Sequence, residues 1–302
     1  MTQPSTLTKT FDTSLVDVNR SFSSTETDTS GSTAKSSTQA PASEAAMSAS
    51  EAYTAVSNNE LYDQWASSYD TDGNILQAVD DLELVDLLPE FISLVREDGS
   101  AAGPVRMLDF GCGTGRNTAK LLTSDWGAKD VEVTGWDASQ AMLDVAASKC
   151  AAAVPATANV IEIKQVDFAS PSAIPESARG SFDGLISTLV LEHLPADTFF
   201  EAIADLLKPG GIALVTNMHS EMGKQTKAGY KTASGERVKG DSWVYEVDET
   251  VETAESAGLG LVGEVKERRV DEKMIQDGHV GSRGEKWKGV KVWYCLMLRK
   301  HA

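Results

Sequence analysis

From Val105 onward, short apolar runs alternate with stretches whose apolar residues recur at helical spacing. Val105–Leu108 predicts a first strand, and Arg116 to about Thr123 the helix after it. Val131–Asp137 alternates apolar and polar positions and predicts a second strand. Ser139 stands where an N-cap belongs, before a helix to about Ala152 with Ala141, Met142, Val145 and Ala146 on one face. Further strands are expected over 160–166, 182–190 and 212–217. Between the last two, Asp197 is expected to cap a helix ending at Leu207, which Lys208-Pro209-Gly210-Gly211 stops. Such alternation predicts an α/β fold, a mostly parallel sheet covered by helices on both faces.

Other elements flank this unit. Tyr62, Trp65, Ala66 and Tyr69 fall at helical spacing and form an aromatic face. Residues 75–97 read as helix, broken or bent near Pro89. A long excursion, 218–247, leaves the carboxyl edge of the predicted sheet, where ligands bind in open α/β folds. A helix capped by Asp248 and ended by Gly258 follows, then a strand pair over 259–270 and 289–298. Residues 1–55 are rich in Ser and Thr, with few large apolar side chains, and are expected to be a disordered tail. The domain is expected over 56–302, with 56–98 a helical lid.

Charge narrows the partners. The 302 residues carry a formal charge of −18, which argues against a nucleic-acid substrate. No apolar stretch is long enough to cross a membrane, and no secretory or transit signal is evident. Three cysteines, Cys112, Cys150 and Cys295, have neither disulfide-framework nor metal spacing, so no metal site and a cytoplasmic home are expected. The chain carries no signal of oligomeric state.

Candidate chemistry begins at Asp109-Phe110-Gly111-Cys112-Gly113-Thr114-Gly115. A glycine turn between strand and helix lets a ligand approach the backbone closely. The dinucleotide fingerprint G-x-G-x-x-G fails, because its third glycine position is Arg116. Asp109 would repel a pyrophosphate and suits a cationic ligand. Asp137 ends the second strand, where a ribose-binding carboxylate belongs.

The run 107–115 resembles motif I of class I S-adenosylmethionine-dependent methyltransferases, and the order of motifs is similar over roughly 59–300. The resemblance implies a Rossmann-like seven-stranded sheet with one terminal antiparallel strand, and S-adenosyl-L-methionine as cofactor. It implies cofactor contacts at Tyr69, Asp109, Gly111, Cys112, Gly113, Thr114 and Asn117. From the next two strand ends it adds Asp137, Ala138, Met142, Asp167 and Phe168. Gly223 to Ser242 and Trp287 to Trp293 look most like fungal natural-product O-methyltransferases of the glandicoline B type. The opening Tyr-Asp-x-Trp-Ala segment is also similar to Williams–Beuren-region methyltransferase-like proteins.

The resemblance places the acceptor beside the end of the fourth strand, at Leu191-Glu192-His193-Leu194-Pro195. His193 is the leading candidate for a general base and His219 the second, since histidine titrates near neutral pH. Tyr62, Trp65, Met222, Tyr230 and Trp243 are the expected acceptor-pocket residues. No Asn-Pro-Pro-aromatic run and no Pro-Cys nucleophile occurs. A small organic acceptor methylated on oxygen, of the kind found in secondary metabolism, is the expectation. A protein methyltransferase and a non-catalytic cofactor-binding scaffold stand as alternatives.

Overall fold

The computed structural model describes residues 16–17, 53–98, 103–153, 161–232, 234–281 and 283–302. Almost all of the Ser/Thr-rich stretch expected over 1–55 lies outside the described residues. The main helices are α1 (Asn58–Trp65), α2 (Ile75–Asp98), α3 (Arg116–Thr123), α4 (Gln140–Ala153), α5 (Ala196–Leu206), α6 (Ser220–Gly223) and α7 (Val247–Ser256). The central sheet is built from β1 (Val105–Phe110), β2 (Val131–Asp137), β3 (Ile161–Gln165), β4 (Phe182–Thr188), β5 (Leu207–Met218), β6 (Leu259–Leu261), β7 (Lys266–Arg269) and β8 (Lys291–Lys300).

Across the sheet the order is β6, β8, β5, β4, β1, β2, β3, with β7 paired to β8 beside β6. β1 to β5 pair in parallel, whereas β8 runs antiparallel to β5, β6 and β7. Seven positions are therefore filled, and the edge one is shared by two short segments. Residues 259–270 were expected as a single strand. Leu261 pairs with Leu298 but Lys266 with Cys295, so the edge carries extra residues there, with Gly263 at φ +75°. That is the geometry of a bulge.

Alternation along the strands feeds two cores. Trp293, Cys295 and Met297 of β8 join Leu84, Phe91 and Val95 of α2 on one face. Tyr294, Leu296 and Leu298 join Phe199, Ile203 and Ala254 of α5 and α7 on the other. A strand buried on both sides reads as a continuous apolar run, which is what β5 and β8 show.

Several helix boundaries differ from expectation. α2 continues through Pro89. The bond that proline forfeits would go to the carbonyl of Val85, and Val85 faces solvent, 68% exposed. α5 starts at Ala196, so Asp197 lies inside its first turn, with Pro195 as N-cap. Glu246 rather than Asp248 caps α7. The run Lys208–Gly211 belongs to β5 rather than to a helix stop. Ser139 does cap α4, its Oγ accepting from Met142 N at 3.2 Å. α1 ends at Trp65, so Tyr69 sits in the turn beyond it.

Beside the sheet sits a small cap. Thr54–Ala55 pairs with Arg237–Lys239, which pairs with Gly229–Lys231. Its own cluster comprises Leu61, Trp65, Tyr230 and Val238. Among the described residues, no helix is long and apolar enough to cross a membrane.

Candidate active site

The carboxyl ends of β1 to β4 open into a cavity of about 340 Å³, closed on one side by the cap. This is where an open α/β sheet offers a ligand its crevice. Three glycines shape the entrance, each for its own reason. A Cβ on Gly111 would meet Val190 Cγ2 at 2.3 Å, and one on Gly115 would meet the Ala146 backbone at 3.0 Å. Those two keep neighbouring elements close. Gly113 has φ +52° and open space beyond its Cβ position, which is the cavity itself.

Asp137 holds this loop. Its Oδ2 accepts from Gly113 N at 2.8 Å and its Oδ1 from Ser139 N at 2.9 Å. Each oxygen keeps a further lone pair for a ligand. Burial raises its carboxyl pKa, opposed by the N–H bonds from Ser139 and Gly113. Gly111, Ala138, Met142, Asp167, Phe168 and Tyr69 line the same cavity. No Lys or Arg is among its lining residues, so it is not built for a pyrophosphate. A carboxylate, an open glycine and apolar walls fit S-adenosylmethionine, a cation with a ribose and no phosphate.

Four expected cofactor contacts sit behind the wall instead. Asp109 is 1% exposed and accepts from Thr118 Oγ1 at 2.6 Å. Burial pushes its carboxyl up to about 6, against the Thr118 hydrogen bond. Thr114 Oγ1 donates to Asp70 Oδ1 at 2.7 Å, and Asn117 Nδ2 to Thr188 Oγ1 at 2.8 Å. Cys112 packs against Gly135, and burial raises its thiol pKa. These residues build the loop from beneath.

His193 lies on the cavity wall, on a 3-10 turn (Leu191–His193) after β4. Its Nδ1 is 3.2 Å from the Asp241 carbonyl, which can only accept. In the neutral ring Nδ1 therefore carries the proton, and Nε2 accepts from Tyr62 Oη at 2.7 Å. Loss of solvent raises the Tyr62 phenol well above its ordinary value, so it stays protonated. A basic nitrogen is thus held at the cavity with its lone pair on a proton donor.

His219 is different. Its Nδ1 accepts from Glu221 N at 3.0 Å as the N-cap of α6, which leaves Nε2 to donate to Glu267 at 2.8 Å. It is buried, outside the cavity lining, and has no lone pair to offer. Met222 is fully buried in the core on the α2 face. Tyr230 stacks on Trp65 and donates to Gln64, so both rings build the cap. Trp243 is 42% exposed, and its backbone N–H donates to the Glu192 carbonyl. The 218–247 excursion thus touches His193 through the Asp241 backbone rather than through its aromatics.

Sequence reasoning missed Ser57, Asn58 and Asn59, which line the cavity from the start of α1, and Leu189. Leu189 is the described non-glycine residue with positive φ, +59°. No periodicity signals such a residue.

The Methyltransferase domain family matches residues 108–213. An uncharacterized methyltransferase of Emericella nidulans is 41% identical over 261 residues, spanning 80% of this chain and 90% of that protein. This chain belongs to the methyltransferase family. The O-methyltransferase cnsE of Penicillium expansum is 33% identical over 133 residues, 42% of this chain and 44% of that one. The solved structure of the DhpI–SAH complex shares the fold, with a TM-score of 0.52 at 16% identity over 80% of this chain and 94% of that one. The protein is an S-adenosylmethionine-dependent methyltransferase with a Rossmann-like class I fold.

Proposed function

We propose that this methyltransferase acts on a hydroxyl group of a small organic acceptor, of the kind met in secondary metabolism. The observation that carries the reading is His193, whose neutral ring turns Nε2 toward a protic oxygen at 2.7 Å on the cavity wall. Bound S-adenosylmethionine would supply the methyl group; Asp137 would accept from its ribose hydroxyls, and Gly113 would allow its close approach. An acceptor hydroxyl takes the place of the Tyr62 phenol at His193 Nε2, which takes its proton; the oxygen would gain the methyl as the methyl's bond to the cofactor sulfur breaks, leaving S-adenosylhomocysteine. The cap excludes water and holds the two reactants in line. The similarity to an O-methyltransferase over part of the chain supports the same choice.

The test is a panel of small phenols and alcohols incubated with S-adenosylmethionine, with products located by mass spectrometry and NMR. New O-methyl ethers are expected. Methylation confined to nitrogen, or to added protein, overturns the reading.

Two variants probe the cofactor side. Asp137→Ala is expected to weaken S-adenosylmethionine binding by roughly 1–3 kcal/mol, the cost of leaving ribose hydroxyls without their acceptor. Gly113→Val should do worse, because a branched side chain is strained at this φ and fills the cavity mouth. Calorimetry giving wild-type affinity for both variants would remove these assignments.

A further inference from the structure

Both ring nitrogens of His193 lead back to α1. Nε2 meets Tyr62 Oη directly, at 2.7 Å. Nδ1 donates to the Asp241 carbonyl at 3.2 Å, and Asp241 N donates in turn to Asn58 Oδ1 at 2.9 Å. Asp241 N can only donate, so the Asn58 atom facing it is the oxygen of its amide. Asn58 and Tyr62 stand four residues apart, on one face of α1. A single helix of the cap thus reaches both sides of one imidazole.

Asp241 is exposed, so hydrogen bonds rather than packing hold its backbone. Further along, Trp243 N donates to the Glu192 carbonyl and Tyr245 Oη to the Leu194 carbonyl, each at 2.8 Å. Residues 241–245 therefore lie along the turn that carries His193, and Asn58 fastens the end nearest its Nδ1. Gly240 shows how close that fastening is. A Cβ there would stand 2.3 Å from Asn58 Oδ1 and 2.9 Å from Leu61 Cδ2. Leu61 is fully buried and has little room to retreat, so the Asn58 amide is what gives way. Gly240 has no positive φ, so the neighbouring side chains and not the backbone call for glycine.

We propose that Asn58 is a positioning residue for methyl transfer, holding the His193 ring through the Asp241 backbone so that its Nε2 lone pair stays on the cavity. The inference rests on the reading of His193 as the base and adds what keeps that base in register. A neutral imidazole carries one proton for two nitrogens, and a base with the proton on the reacting nitrogen cannot accept another. Tyr62 cannot enforce the choice during turnover, because the acceptor hydroxyl takes its place. The Nδ1 bond to Asp241 then holds the ring, and Asn58 stands behind it. A backbone carbonyl so held does for tautomer and orientation what a buried carboxylate does in a Ser-His-Asp triad, without its charge. Asn58 also lines the large cavity, whereas Gly240 does not. Direct contact between Asn58 and a ligand is therefore the rival role, and Gly240 probes the tether from outside the cavity.

The test uses the full chain, with isotope-labelled histidine rings read by nitrogen NMR and turnover measured on the phenol or alcohol that the panel above identifies. The ring readout needs no acceptor. His193→Ala identifies the His193 signals among those of the four histidines by their loss. Wild type is expected to show the neutral ring protonated on Nδ1. Asn58→Ala and Gly240→Ala should both shift it toward a mixture of tautomers and lower kcat by about 10- to 100-fold, with KM for acceptor and cofactor little changed. Asn58→Asp keeps an acceptor oxygen for Asp241 N and should recover most of kcat and the wild-type ring signal. Asn58→Ala should cost nothing further when added to His193→Ala. An unchanged tautomer in Asn58→Ala, a loss confined to KM, or a further loss in the double variant overturns the proposal. If Gly240→Ala fails to fold, the two Asn58 variants still decide. A shifted ring in Asn58→Ala, with kcat normal there and in His193→Ala, would keep the tether and sink the base. A collapse of kcat in His193→Ala, beside a wild-type ring and kcat in Asn58→Ala, would do the reverse.

Discussion

His193→Ala is expected to lower turnover by about 10²–10⁴-fold, the usual worth of a positioned base. Cofactor affinity should stay near wild type, because Asp137 and Gly113 hang on β2 and the β1 loop and make no bond to His193. The loss should shrink as pH rises, since an acceptor that ionises in solution no longer needs its proton removed. Steady-state kinetics across pH, with S-adenosylmethionine affinity measured separately, check this. A loss confined to KM and independent of pH would make His193 a positioning residue. A loss of cofactor binding with intact turnover at saturating cofactor would contradict both roles.

Asp80→Ala is expected to destabilise the fold by about 3–5 kcal/mol, the range for breaking a buried ion pair from one side. Asp80 is fully buried and collects three donors: Arg116 Nη2 at 2.6 Å, Thr216 Oγ1 at 2.6 Å and Trp293 Nε1 at 2.9 Å. These donors come from α3, β5 and β8, so one carboxylate on α2 ties three elements together. Burial alone would lower the Arg116 pKa, but Asp80 and Asp81 hold it raised. Asp81 remains in the variant at 2.6 Å from Arg116, half exposed, which keeps the loss from going higher. For a domain of this size the melting temperature should fall by roughly 10 °C. S-adenosylmethionine binding should weaken too, because Arg116 opens the helix that follows Gly115. Thermal unfolding within a degree or two of wild type would show that the network carries little energy.

The sheet was legible because β1 to β5 are short, apolar and separated by strong turn residues. The edge was less so. A bulge at Gly263 leaves the apolar pattern intact while shifting the pairing, and pairing is not written locally. Arg116 was visible only as a departure from a dinucleotide fingerprint. Its ion pair with Asp80 joins residues far apart in the chain, and no spacing rule reaches that far. Two of the expected pocket aromatics lie outside the large cavity for a similar reason. Trp65 and Tyr230 have the composition of a binding wall, but they satisfy each other. Histidines near a strand end look alike in sequence, and only the partners of Nδ1 separate the proposed base, His193, from a helix cap, His219. Neighbouring residues on a helix point apart, but the 3-10 turn places the Glu192 carboxylate 3.9 Å from His193.

The cap carries a kinetic consequence. Its apolar side chains are spent on one another, Leu61 and Trp65 against Tyr230 and Val238. Its ties to the sheet domain include Tyr62 to His193, Asp63 to Ser139, and Asp70 to Thr114 and Lys149, all between polar side chains. Lifting it therefore exposes little greasy surface, and such an opening responds only weakly to denaturant. In native-state hydrogen exchange, amides of 54–69 and 226–241 should open together and early, with a flat urea dependence, while β1, β4 and β5 wait for global unfolding. A methylated product leaving past the lifted cap would be released at a rate set by a handful of hydrogen bonds rather than by the core.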